Sequence, residues 1–155
     1  MTYKDRIINI VCEKIVFPGR SLCRCDDGIA LFTEGLLPDE KAEVYVTKDK
    51  KTFREGYVKN IIYQSKNRIE PICPLFSKCG GCSFQNTYYT HQLYYKQQYL
   101  YELLSFINID IMPILPNPQI YHYRNKMEFS FFNQVDSTVG LGLHYKNSFN
   151  KYISI

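Results

Sequence analysis

Apolar and polar residues alternate along the N-terminal part of the chain, as they do in strands that bury one face. Over residues 6–16 the alternation places Ile8, Ile10 and Cys12 on one side. The turn residues Asp26-Asp27-Gly28 predict a β-hairpin. Four further strands are predicted over residues 22–25, 29–32, 42–47 and 53–62. Short strands joined by tight turns favour a small five-stranded barrel of the oligonucleotide-binding kind.

The hydrophobic period becomes helical later in the chain. A helix is predicted over residues 87–106, where Leu93, Leu100 and Leu104 lie near helical spacing. Thr87 is a residue type that caps helices, so we expect it to cap this one.

Alternation returns in the C-terminal part. Strands are predicted over residues 123–133 and 139–145, paired across a turn near Asp136-Ser137. A connector with three prolines, residues 110–119, precedes them. The predicted fold class is therefore mainly β with one long helix (α+β), with a barrel, a cysteine-rich loop and helix, and the start of an antiparallel sheet.

Three of the six cysteines lie in one short segment, Cys73, Cys79 and Cys82, with the spacing C-x5-C-x2-C. Gly80-Gly81 lets the backbone fold tightly between the last two thiols, which favours convergence on an iron–sulfur cluster. A zinc site, for which His91 is the nearby histidine, and a purely structural group of thiols remain alternatives. A disulfide is disfavoured, because three clustered cysteines leave one unpaired.

The other cysteines, Cys12, Cys23 and Cys25, lie on predicted strands. We expect them to be core thiols and not ligands. No secretory pattern opens the chain and its apolar runs are short, so we expect a cytoplasmic protein with no membrane association.

The residues around the cysteine loop carry a resemblance to a known family. They are Cys73-Pro74, Cys79-Gly80-Gly81-Cys82, Gln85, Gln92-Leu93 and Lys96. This pattern resembles the signature of the iron–sulfur RNA uracil-5-methyltransferases. Segments upstream are similar to the TRAM domain of that family, namely Phe17-Pro-Gly-Arg-Ser-Leu22, Asp27-Gly28, Leu36-Leu-Pro-Asp-Glu40 and Ser65 with Arg68. Segments downstream are similar to its central domain, namely residues 123–131 and 140–144.

The resemblance implies a function and a domain organisation. Residues 1–64 would form an RNA-binding TRAM barrel, and residues 65–155 an iron–sulfur loop, a helix and an incomplete central domain. The family uses S-adenosylmethionine to methylate C5 of a uridine. Cys73, Cys79 and Cys82 would bind a [4Fe-4S] cluster, with the fourth ligand expected beyond residue 155.

The family's S-adenosylmethionine domain, nucleophilic cysteine and general base would also lie beyond residue 155. We therefore expect no catalytic and no S-adenosylmethionine-binding residue in this chain, and no catalysis by the chain alone. Pro18-Gly19 and Pro38-Asp39-Glu40 depart from the Gly-Gly and Pro-Gly-Glu of the TRAM pattern. The alternative function is a non-catalytic RNA-binding module that holds an iron–sulfur cluster or zinc.

Two groups of basic residues are candidates for RNA contact. They are Lys48, Lys50, Lys51 and Arg54 in one turn of the barrel, and Arg124 and Lys126 on one predicted strand face. The net charge is only +4, so any RNA contact must be local. The alternative is an ordinary solvated surface. We expect a monomer that binds RNA, with ribosomal RNA favoured over transfer RNA.

Overall fold

The computed structural model describes residues 2–154, and its first five strands close into a barrel. The strands are β1 (Ile7–Val16), β2 (Arg20–Arg24), β3 (Ala30–Glu34), β4 (Lys41–Asp49) and β5 (Phe53–Tyr63). Their order around the barrel is β1-β2-β3-β5-β4, and β4 pairs with β1 to close it. The β3–β5 pair is parallel and the others are antiparallel. The predicted small barrel is confirmed.

Alternate residues of the strands fill the barrel. Ile10 and Cys12 of β1, Cys23 of β2, Leu31 of β3 and Val44 of β4 are all buried in one core cluster. Because successive strand residues point to opposite faces, the two-residue period of the sequence becomes this core directly. The expectation that Cys12 is a core residue is thereby confirmed.

The helix, α1, covers Tyr89–Leu103 and is shorter at both ends than predicted. Its N-cap residue is Tyr88, and no side chain caps it. Thr87 is buried and its hydroxyl donates to the carbonyl of Asn67 at 3.0 Å. The prediction that Thr87 caps the helix is wrong, because a tertiary acceptor takes its hydroxyl. No helix in residues 2–154 is long and apolar enough to cross a bilayer.

A second, three-stranded sheet follows in the order β6 (Ser130–Asn133), β7 (Val139–His144) and β8 (Tyr152–Ser154). The predicted β6–β7 hairpin is confirmed, and β8 was not predicted. Residues 123–129 lie outside any strand, so the prediction of a strand over 123–133 is wrong for its first part. Within the described chain no segment pairs with these residues, and alternation forms a strand only where a partner supplies hydrogen bonds.

The chain divides into two compact units. One consists of the barrel and α1, and comprises the chain up to Glu70 together with Asn86–Ile114. The other comprises Pro71–Gln85 and the residues from Leu115 onward. The cysteine-rich loop therefore belongs to the same unit as the β6–β8 sheet.

Candidate functional site

The cysteine loop, residues 73–82, is a series of turns held by its own backbone. The amide of Phe76 donates to the carbonyl of Cys73 at 3.0 Å, and the amide of Cys79 donates to that of Leu75 at 2.9 Å. Ser77 between them has a positive φ of 70°. These turns set the direction in which the chain approaches Cys79.

The end of β7 fixes the middle of the loop. Cys79 forms an isolated antiparallel bridge with Tyr145. The amide of Gly80 donates to the backbone carbonyl of His144 at 3.3 Å, and the amide of Lys146 donates to the backbone carbonyl of Lys78 at 2.7 Å. The loop is therefore attached by main-chain hydrogen bonds to the β6–β8 sheet, so a group bound by the loop would also brace that sheet.

Gln85 joins the two ends of the loop. Its side-chain oxygen accepts the amide of Cys73 at 3.1 Å, and its amide nitrogen lies 3.4 Å from the sulfur of Cys82 as a donor. The amide of Gly81 donates in the same way to the sulfur of Cys79 at 3.4 Å. Sequence reasoning gave Gln85 no role, although its spacing of three residues from Cys82 was visible in the motif.

Two of the three loop thiols are half-buried and Cys82 is exposed. Soft thiols that receive N–H donors suit an iron–sulfur cluster chemically, because such hydrogen bonds stabilise anionic sulfur. Geometrically the site is not assembled: in residues 2–154 no three His, Cys, Asp or Glu side chains come close enough to hold a metal ion. The three loop thiols are thus the right kind of ligand for an iron–sulfur cluster, but in this structure they do not converge on one point.

The barrel cysteines are a separate set. Cys12 and Cys23 face each other across β1 and β2, and Cys25 is also buried. The neighbouring Cys12 thiol and burial raise the pKa of Cys23 far above its usual range. Burial likewise raises the pKa of Cys25. A raised pKa keeps a thiol protonated and makes it a poor metal ligand, so Cys23 and Cys25 act as small core residues. Cys12 is buried in the same core cluster.

The β4–β5 turn presents three exposed lysines, Lys48, Lys50 and Lys51. The ammonium of Lys48 lies 2.7 Å from the carboxylate of Glu55. This hydrogen bond is the main reason that the pKa of Glu55 is lowered. Three of the four residues in the sequence-predicted cluster are therefore exposed at this turn, and one of the three charges is partly neutralised.

Arg54 differs from these lysines, because only 2% of its surface is exposed. Its guanidinium contacts Asp27 at 2.6 Å and Asp49 at 2.8 Å, and lies 4.1 Å from the centre of the Tyr3 ring. The hydrogen bond from Arg54 lowers the pKa of Asp27 from 3.8 to about 2. These contacts hold the guanidinium inside the barrel unit, so Arg54 does not lie at the surface with the lysines.

Arg124 and Lys126 are exposed, but they lie in the segment that is not a strand. Lys126 pairs with Glu128 at 3.1 Å, and both side chains are more than four-fifths exposed. Arg124 approaches the sulfur of Met127 at 4.0 Å. No sheet face holds the two charges side by side, contrary to the arrangement predicted from alternation.

A closed five-stranded barrel with an exposed lysine turn, together with a thiol-rich loop hydrogen-bonded to a second sheet, defines the structural class of this chain. No protein-family model matches it. An uncharacterized RNA methyltransferase of Caldanaerobacter subterraneus is 34% identical over 149 residues, which are 94% of this chain and 33% of that protein. A second, from Thermotoga maritima, is 33% identical over 138 residues, which are 88% of this chain and 30% of that protein.

A 23S rRNA (uracil(1939)-C(5))-methyltransferase of Legionella pneumophila is 35% identical over 148 residues, which are 92% of this chain and 32% of that protein. The chain is thus homologous over most of its length to proteins named RNA methyltransferases, which confirms the resemblance at the level of RNA methyltransferases. The chain spans about a third of the length of the curated relatives it matches.

Proposed function

We propose that this chain is the N-terminal, RNA-binding portion of an RNA uracil-C5 methyltransferase that uses S-adenosylmethionine and acts on ribosomal RNA. The observation that carries the proposal is the similarity to the Legionella enzyme over 92% of the chain. The closed barrel supports it, since barrels of this size commonly bind oligonucleotides. In this proposal residues 1–64 are the TRAM domain, and residues 65–155 are the cluster loop, helix and incomplete central domain.

The RNA contact that we assign to the barrel is the lysine turn. Lys48, Lys50 and Lys51 are exposed and can approach phosphates, releasing the counterions that condense on them. Arg54 supports this surface indirectly, because its pair with Asp49 fixes the last residue of β4, and its pair with Asp27 joins the start of β5 to the β2–β3 turn. Arg124 and Lys126 are a second, less ordered contact in the other unit.

We assign Cys73, Cys79 and Cys82 as ligands of a [4Fe-4S] cluster, with a fourth ligand from beyond residue 155. A bound cluster would supply a fixed cross-link among the three thiolates. The amide of Gly81 and the side chain of Gln85 would then stabilise the sulfur charge, since each already donates to a loop sulfur. The bridge from Cys79 to Tyr145 would transmit this order to the β6–β8 sheet.

We assign no catalytic residue to this chain, and we infer that it binds and orients RNA. The described cysteines are either buried in the barrel or part of the loop, so none is left as the nucleophile that adds to a uracil ring. All six thiols are unpaired, which agrees with a reducing compartment, so we infer a cytoplasmic location. We also infer that the chain is a monomer.

RNA binding tests the first assignment. Titration of a single-stranded RNA into the full chain at several salt concentrations measures the number of phosphate contacts. We expect the double variant Lys50→Ala/Lys51→Ala to reduce the slope of log K against log salt by about 1.4, at roughly 0.7 per contact. Lys59→Ala, which removes an exposed lysine from β5, should leave the slope unchanged. An equal loss in both variants would contradict a specific lysine contact.

Metal analysis tests the second assignment. Anaerobic purification and reconstitution should give iron and acid-labile sulfide, with a broad absorption band that Cys79→Ser abolishes. Cys25→Ala, which changes a core thiol outside the loop, should keep the band. One tightly bound zinc ion without sulfide would sink the iron–sulfur assignment and leave the RNA-binding assignment intact. Incorporation of labelled methyl groups into RNA by this chain alone would overturn the inference that it is not catalytic.

A further inference from the structure

A groove of about 600 Å³ lies between the barrel and the helix. One wall is the end of β1, Glu13 to Ile15, together with the turn Pro38-Asp39. The other wall is the face of α1 that carries His91, Tyr94, Tyr95 and Tyr99. We call it the β1–α1 groove. Its volume is in the range of clefts that bind small molecules or single side chains, so it can accept a ligand group.

Aromatic rings dominate the helical wall. Tyr94 is more than half exposed and packs edge-on against Tyr95, with ring centres 5.8 Å apart. Tyr99 is held by stacking on Phe17 at 5.2 Å, and the ring of His91 lies 6.3 Å from that of Tyr95. The faces of such rings are electron-rich and attract cations. The groove therefore has a preformed surface for a flat cationic group.

The charge of the groove is opposite in sign to that of the chain. Its lining includes the carboxylates of Glu13, Asp39 and Glu102 and only one ammonium, that of Lys14, in a chain with a net charge of +4. Glu102 pairs with Lys14 at 2.7 Å, and Glu13 pairs with Arg24 at 3.0 Å. Asp39 is exposed and has no hydrogen-bond partner for its carboxylate within residues 2–154. One carboxylate is thus free to accept hydrogen bonds from a ligand.

His91 supplies a second unsatisfied group. Its Nδ1 atom is buried and has no hydrogen-bond partner among the described residues. A buried polar atom without a partner is unfavourable, and a ligand that donates a hydrogen bond would satisfy it when the nitrogen is the acceptor of a neutral imidazole.

We propose that the β1–α1 groove binds an arginine side chain from a basic segment of a partner protein. A guanidinium stacks on tyrosine rings, offers two parallel N–H groups to a carboxylate such as that of Asp39, and has further donors for His91. A nucleic acid strand fits less well, because its phosphates would lie beside the free carboxylate of Asp39, and the lining offers them only Lys14, which already pairs with Glu102. This interaction is independent of the RNA binding proposed for the lysine turn.

The test is calorimetric titration of the full chain with a peptide of alternating glycine and arginine, and with the same peptide carrying citrulline in place of arginine. Citrulline keeps the shape and removes the charge, so its peptide should bind much more weakly. Asp39→Asn and Tyr94→Ala should each weaken arginine-peptide binding roughly two- to fivefold. Asparagine suits the positive φ of 69° at position 39, so this variant changes the charge while keeping the turn.

Tyr101→Ala is the matched control, because Tyr101 is an exposed tyrosine on the same helix that does not line the groove. It should bind the peptide like the unaltered chain, and circular dichroism should give every variant the same fold. Equal affinity for the arginine and citrulline peptides would overturn the proposal. So would Asp39 and Tyr94 variants that bind the arginine peptide as tightly as the unaltered chain does. If these variants instead lose affinity for a single-stranded RNA, the groove is a nucleic-acid site and the proposal is likewise overturned.

Discussion

At the scale of single residues, two buried charges organise the first unit. Glu40 is fully buried and Arg54 nearly so, and each has charged partners within hydrogen-bond distance. The carboxylate of Glu40 accepts hydrogen bonds from Nε and Nη2 of Arg68, each at 2.6 Å. It also accepts hydrogen bonds from the backbone amides of Leu37 and Ser65. Residues of the sequence motif that are far apart along the chain therefore meet at one carboxylate.

Replacing Glu40 tests this network. We expect Glu40→Gln to lower the free energy of unfolding by about 3–5 kcal/mol, because the substitution leaves the Arg68 charge without its counter-charge. Urea denaturation followed by circular dichroism measures the loss. The control is Glu128→Gln, which breaks a highly exposed pair with Lys126 and should leave the free energy unchanged within error. Equal effects of the two substitutions would show that burial of the pair is immaterial.

The second buried charge makes the stability of the barrel sensitive to acid. The pKa of Asp27 falls from 3.8 unfolded to about 2 in the folded chain, chiefly through the hydrogen bond from Arg54. A depressed pKa stabilises the fold above the unfolded value, and this contribution is lost as the pH falls from about 4 to about 2. Asp27→Asn should therefore flatten the decline in stability over this range, as measured by thermal unfolding at successive pH values.

Asp26→Asn is the control for the acid experiment, because Asp26 is the adjacent acidic residue and is not an ion-pair partner of Arg54. It should keep the decline of the unaltered chain. A decline that is the same in the Asp27 variant would mean that other carboxylates govern the acid sensitivity.

At the scale of elements, close packing between β4 and β5 depends on a glycine. A Cβ atom on Gly56 would meet the carbonyl oxygen of Tyr45 and would lie 2.6 Å from a methyl group of Val44. Both atoms belong to β4, the hydrogen-bonded neighbour of β5. A side chain at this position therefore requires one of the two strands to shift.

We expect Gly56→Ala to destabilise the chain by about 1–3 kcal/mol, the usual cost of overpacking a core. Asn60→Ala, on the exposed surface of the same strand, should change stability far less. Chemical denaturation of both variants measures the difference. If Gly56→Ala is as stable as the parent chain, β4 and β5 tolerate a wider separation than the structure indicates.

At the scale of the whole molecule, the two units differ in how much of their apolar side-chain surface is buried. In the barrel the strands pair on both sides and enclose a continuous core. In the β6–β8 sheet only Gly140, Gly142 and Ile153 are buried, and large apolar side chains such as Phe131 and Val139 are exposed. Local stability follows burial, so the two units should open with different free energies.

Hydrogen exchange measured by mass spectrometry tests this difference. Amides of β1 to β5 should be the most protected, whereas those of β6 to β8 should exchange faster. Anaerobic cluster reconstitution should slow exchange in residues 71–85 and in β7, because Cys79 and Gly80 bond to the end of that strand. Equal protection of the barrel and the sheet in the untreated chain would contradict the assigned difference in stability.

Local patterns in the sequence by themselves determined the barrel strands, the core positions of Ile10 and Cys12, and the β6–β7 hairpin. They also determined the relationship to RNA methyltransferases. Alternation and motif spacing are properties of neighbouring residues, so they can be read without knowing what lies across the fold.

Tertiary structure alone decided the rest. It buried Arg54 between two carboxylates, diverted Thr87 from capping, and left residues 123–129 without a partner strand. It also grouped α1 with the barrel and the cysteine loop with the second sheet. Each of these outcomes depends on contacts between residues distant in sequence, and no local pattern encodes which partner a polar group or a strand edge will meet.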